Sequence, residues 1–180
     1  MKTLFLLCFL ILLNSSCCLL ECTEEDDPLY LKRMEYSGSD IKLNGYYYNY
    51  YSSNDTVVIC EGHFFYNNGI ILNVGGLRNS FDEYDNYILD VMNYKYYKNQ
   101  KACWGVFIIE DDKILLERWQ PFNPFRAYIK QGEILNDTTF QLTKIYRMVN
   151  EEKTDEIEIN EIFHFREFSP KPDSTNVFIK

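Results

Sequence analysis

The side chains able to do chemistry in this sequence are few: two histidines, six cysteines and a surplus of carboxylates. His63 and His164 each sit in an apolar run without a second His, Cys or carboxylate at zinc-ligand spacing. Each therefore reads as a surface or internally satisfied histidine, and no metal is expected. No Gly-x-Ser-x-Gly, phosphate-binding loop or dinucleotide fingerprint occurs. The carboxylates alternate with apolar residues or cluster in turns, so the fold would have to assemble any acid–base pair. The expectation is a protein that is not an enzyme and carries no cofactor. One stretch stands apart: Arg118 to Arg126, RWQPFNPFR, sets Trp119, Phe122, Phe125 and Arg126 on a proline-stiffened connection. Such residues form either a stacked cation–π anchor at a ligand mouth or partner contact, or rings tucked under the domain as core.

The cysteines carry information about export. Cys8, Cys17, Cys18 and Cys22 crowd the first 22 residues, where Lys2 precedes the apolar run Leu4 to Leu13 and Asn14-Ser15-Ser16 follows. This order of basic, apolar and small residues reads as a secretory signal peptide over residues 1–16. The apolar run is too short for a membrane span, which needs about 20 residues. The small residues before Cys17 resemble a lipobox, the site where bacterial lipoproteins are acylated and cut. That resemblance implies lipidation at Cys17, or at Cys18, and a membrane partner reached through fatty chains, each buried CH₂ adding about 0.8 kcal/mol. The alternative is an ordinary signal peptide whose cysteines form disulfides. In the body, Cys60 and Cys103 are placed either to pair, which an exported chain permits, or to stay as two buried thiols.

The chain carries a net charge of −9, and loss of residues 1–16 leaves 17 basic and 27 acidic residues, net −10. That balance favours solubility and argues against nucleic acid. Residues 17–40, including the acidic Glu21 to Pro28, read as a solvated tether.

Residues 41–180 read as one domain with a period of two. Aromatics make up 17% of the chain, a β-favouring composition. Strands are expected over Leu43 to Tyr51, Thr56 to Tyr66 and Ile70 to Val74, with Asn67-Asn68-Gly69 as a hairpin turn. Trp104 to Trp119 forms a second hairpin about Glu110 to Lys113. Trp104, Val106 and Ile108 share one face of its first strand, and Gly105, Phe107 and Ile109 the other, so this strand is covered on both sides. Arg126 to Glu133, Thr138 to Tyr146 and Glu156 to Phe168 follow. Glu161 interrupts the last apolar row, which marks a bulge nearby. Thr175 to Ile179 adds a short closing strand. Between the third and fourth strands the period changes: Phe81, Tyr84, Ile88, Val91 and Met92 recur at three-to-four spacing. Ser80 to Glu83 is a capping box, and Lys95, Lys98 and Lys101 gather at the far end, so a helix is expected over Ser80 to Lys98.

About eight strands joined by short turns close best on themselves, since closure removes exposed edges. The expected fold is a mainly β, antiparallel up-and-down barrel with one helix packed on it. In its order of tether, GYYY strand, NNG hairpin, WGVF strand, IFHF strand and KPDSTN tail, the chain resembles the lipocalin-like β-barrel lipoproteins of Gram-negative bacteria. That resemblance implies an exported, cell-envelope protein anchored at the outer membrane. It would bind a small apolar ligand, or, with a filled barrel, present a surface patch to an envelope protein.

Overall fold

The computed structural model describes residues 25–180 except 54–55 and 94–96. The side chains of 52–57 and 91–97 lie outside that description, as do the expected leader, Cys17 and Cys18. Eight antiparallel strands close in sequence order into a barrel: β1 (Gly45–Ser53), β2 (Thr56–Phe65), β3 (Ile70–Arg78), β4 (Trp104–Glu110), β5 (Lys113–Trp119), β6 (Ala127–Asn136), β7 (Thr139–Val149) and β8 (Glu152–Glu167). β8 pairs back onto β1 from Gly45 opposite Glu167 to Tyr48 opposite His164. This is the up-and-down architecture that the alternation predicts. The seam needs no ninth strand, so Thr175 to Ile179 stays outside the sheet, with Phe178 and Ile179 against the outer core.

The turns follow from local chemistry. Gly69 takes φ +78 in the β2–β3 turn. Asp111 and Asp112, with φ 49 and 61, make the two-residue turn between β4 and β5, as Asn150 and Glu151 do between β7 and β8. The bulge foretold by Glu161 is present, because the β7–β8 register shifts between Leu142 opposite Glu161 and Lys144 opposite Glu158.

The helix α1 (Phe81–Asn93) lies over the outside of β1–β3. Tyr84 and Ile88 are buried there against Tyr46, Phe64, Leu72 and Trp104. Ser80 Oγ accepts the Glu83 amide at 3.2 Å, and Glu83 Oε2 accepts the Asn79 amide at 3.1 Å, a capping box displaced by one residue on its return arm. The helix ends sooner than the lysines suggest. Lys98 pairs with Asp173 instead, and Lys101 lies 2.7 Å from Asp26, so both serve ion pairs rather than the helix dipole.

The inner wall divides into two halves. Toward the end formed by the β2–β3, β4–β5 and β6–β7 turns, Tyr47, Phe65, Phe107, Phe140 and Phe163 fill the lumen with Ile71, Ile114 and Leu116. Tyr36 and Ile41 cross beneath them, the strap being held by Tyr36 N donating to Asn67 O at 2.7 Å and Lys42 N to Asp137 O at 3.2 Å. This end is closed. β4 is covered as expected, with Trp104 under the helix and Phe107 in the lumen.

The segment read as a solvated tether is docked from residue 25 onward. Asp27 sits 2.9 Å from both Arg126 and Arg147, and accepts the Ala127 amide. Further along, the amides of Tyr30 and Leu31 donate to the two oxygens of Glu117 at 2.9 and 2.7 Å. Glu117 is only 1% exposed on the outer wall of β5. Burial pushes its carboxyl upward, and the two amides pull against that shift. The acidic run therefore forms a strap from the open rim down β5 to the closed end. Its charges find partners that a sequence reading leaves unassigned.

Candidate functional site

The half of the lumen nearer the β5–β6 connection carries charge where the closed half carries rings. On β2 the side chains two and four residues before Phe65 are His63 and Glu61, so all three share the inner face. Arg118 of β5 reaches across the barrel to Glu61 at 2.7 Å. Lys130 of β6 lies 2.6 Å from Glu161 of β8 and 3.5 Å from Glu61. These strands are not neighbours in the sheet, so such contacts are made only through the lumen. Asn73 of β3 completes the set, donating to Glu61 at 2.7 Å.

Electrostatically the layer is balanced, with two cations against two carboxylates. Burial opposes ionisation of Glu61, but Arg118, His63 and Lys130 overcome it and hold the carboxyl far below the usual range. His63 is 1% exposed, its ring tilted against Phe163 with centres 4.9 Å apart. Burial lowers its titration to about 4, with Glu61 pulling the other way, so the ring is neutral at pH 7. Asn73 Nδ2 lies 3.4 Å from His63 Nδ1, which makes Nδ1 the acceptor and places the proton on Nε2. That Nε2 is buried without a hydrogen-bond partner, 3.8 Å from Glu61 Oε1. Solvent reaches Glu161 most, at 32% exposed, while Glu61 and Arg118 are 17% and Lys130 12% exposed.

A measurable consequence follows from His63. The unfolded chain takes up this proton near the ordinary histidine value of 6.5, whereas the folded chain refuses it until about 4. Stability is thus lost as pH falls from neutrality, by about 2 kcal/mol between pH 7 and 5 for this group. Urea unfolding of the full chain at those two pH values should show that much less loss for His63→Gln than for wild type.

Above this layer lies a mouth. A cavity of about 350 Å³ is lined by Gln120, Phe122, Arg126, Tyr128 and Ile145. Ile145 is the register partner of Lys130, and Tyr128 that of Arg118, so the cavity opens directly over the charged layer. Of the loop residues singled out from the sequence, Phe122 and Arg126 line this cavity, and Phe122 is 73% exposed. Trp119 and Phe125 do not line it. Trp119 is buried, its indole N–H donating to Asp27 O at 2.7 Å, with Lys101 Nζ 4.5 Å from its ring centre. Phe125 gives its amide to Asp26 and packs at 5.5 Å from Lys101. These two rings hold the strap.

Compared with protein-family models, curated proteins and solved structures, the chain matches none. The geometry alone bears on function. Cys60 and Cys103 are free thiols and half-buried, so the disulfide permitted by export is not formed. Burial pushes both upward, Cys103 to about 11, which leaves little nucleophilic thiolate. Among the described residues no group of His, Cys, Asp and Glu is placed to hold a metal ion. His164, on the outer face, packs in tilted contact with Tyr48 and Tyr50. Also among the described residues, no helix is long and apolar enough to cross a membrane.

The sequence did carry one trace of the charged layer. Glu161 in an otherwise apolar row marks an inward carboxylate as well as a bulge. Its partner Lys130 lies two strands away around the barrel, and nothing local in the sequence pairs them.

Proposed function

We propose that this chain is a membrane-tethered, lipocalin-like binding module that takes a small, mainly apolar ligand in the open half of its barrel. Acylation at Cys17, or at Cys18, supplies the tether in this reading, in the cell envelope of a Gram-negative bacterium. The observation that carries the ligand site is the division of the lumen. Rings pack one half solid, while the other leaves a cavity of about 350 Å³ above a charged floor. The apolar body of the ligand lies against Phe122, Tyr128 and Ile145, and its polar end meets Glu161, the most exposed group of the floor, and Lys130 beside it.

A second reading is an envelope interaction protein whose surface does the work. It is supported by the filled lower lumen and by Phe122 projecting from the mouth. Native mass spectrometry of the full chain from a lipid-rich source separates the two. A small-molecule adduct, depleted in Ile145→Trp, is the expected result. A clean apo mass overturns ligand carriage and leaves the second reading.

A further inference from the structure

The exposed apolar side chains are unevenly placed. Tyr50, Tyr51, Leu77, Phe122 and Val149 all lie toward the open end, on β1, β3, the β5–β6 connection and β7. Their exposures run from 38% for Val149 to 73% for Phe122. Of the other described members of this class, Met34 and Leu135 lie at the closed end, Tyr30 on the strap, Ile157 and Ile162 on β8 and Val177 on the C-terminal tail. Large apolar residues ringing one end of a barrel are costly in water and call for a covering surface.

The strap says which surface. Its described part begins at the open rim: Arg126 reaches Glu25 O, Lys101 holds Asp26, and Asp27 lies between Arg126 and Arg147. Cys18 lies seven residues before Glu25 in sequence. Seven residues reach at most roughly 24 Å fully extended. An anchor on Cys17 or Cys18 therefore delivers the chain to a bilayer by its open rim, with the closed end directed away. The ion pairs of Asp26 and Asp27 fix that orientation, because the strap cannot slide without breaking them.

We infer that the open rim is a lipid-facing surface, with Tyr50, Tyr51, Leu77, Phe122 and Val149 seated on a bilayer and the cavity opening toward it. This rests on the tethered reading above and adds the direction of ligand exchange, between bilayer and barrel rather than through bulk water. The partner is a zwitterionic surface. Glu151 and Glu152 stand exposed at the β7–β8 turn of the same rim beside Lys153, while Asp155 is paired with Arg147 at 3.4 Å. Without residues 1–16 the chain carries a net −10, and anionic headgroups would be repelled by that net charge.

The test uses full chain from a lipoprotein-processing host, bound to phosphatidylcholine vesicles that carry a shallow doxyl quencher. Leu77→Trp places a reporter on the rim outside the cavity, and Leu135→Trp places one at the closed end; both positions are more than half exposed. After subtraction of the quenching seen in the wild-type chain, the rim tryptophan should be quenched at least threefold more than the other. Replacing a third of the lipid with phosphatidylglycerol should reduce rim quenching. Equal quenching of two vesicle-bound variants overturns the orientation and leaves the tether standing. Failure of the acylated chain to sediment with vesicles overturns the tether and this inference together.

Discussion

Phe140→Ala should cost about 3–5 kcal/mol of folding stability, a loss that urea unfolding reads directly. Phe140 is fully buried at the centre of the closed half. Its ring stacks on Phe163 with centres 4.9 Å apart and planes 10° from parallel, and it meets Phe65 edge-on at 5.8 Å and Tyr47 at 5.2 Å. These neighbours come from three other strands, β8, β1 and β2, each held in the closed sheet, so none can move in to fill the space without opening it. Both terms of a large-to-small change therefore apply, the lost transfer energy and the unfilled cavity. The Phe140→Ala, Phe163→Ala cycle should show coupling of about 1 kcal/mol from the stacked pair. A loss below about 1 kcal/mol for the single variant would mean that this end is loosely packed. The division of the lumen, on which the ligand site depends, would then fail with it.

How much of this was legible beforehand depends on the range of the interaction. The β4 strand shows its two apolar faces in seven residues, because alternation is a local property, and the structure covers both. The two-residue turn at Asp111-Asp112 and the cap at Ser80 are equally local. Closure was inferred from the number of strands and the cost of edges. The charged layer was not legible, because Glu61, Arg118, Lys130 and Glu161 meet only after four separate strands curl round. His63 shows the same limit: in sequence it is one histidine in a strand, and its burial depends on Phe163, a hundred residues on. The acidic strap was misread for a related reason. A run of carboxylates is solvated by default, and only the barrel brings Arg126 and Arg147 to either side of Asp27. Within RWQPFNPFR, residue type alone does not separate Trp119, which the strap covers, from Phe122, which nothing covers.

Arg118→Met should destabilise the fold by about 3 kcal/mol, because it strips the closest counter-ion from a carboxylate that solvent barely reaches. Glu61 and Arg118 are each 17% exposed, and the 2.7 Å contact between them is the shortest that Glu61 makes to a cation. Lys130 remains at 3.5 Å in the variant, but it is already committed to Glu161 at 2.6 Å. The companion Glu61→Gln keeps the hydrogen-bonding shape toward Asn73 and removes the charge. If the loss comes from an uncompensated ion rather than from packing, the double variant is more stable than the sum of the singles predicts, by about 2 kcal/mol. Additivity within about 0.5 kcal/mol would show that Arg118 acts only through its stem and its contact to Ala102 O. The pH dependence supplies a second readout. Glu61 titrates lower in the folded chain than in the unfolded one, so it contributes stability above the ordinary glutamate value of 4.5 that disappears as pH falls below it. In Arg118→Met the folded value moves back toward 4.5, and the acid-side loss shrinks. A buried ion pair is a poor source of stability compared with apolar packing of the same volume. The open half carries such a layer where the closed half carries rings, and it contributes less stability than apolar packing does there.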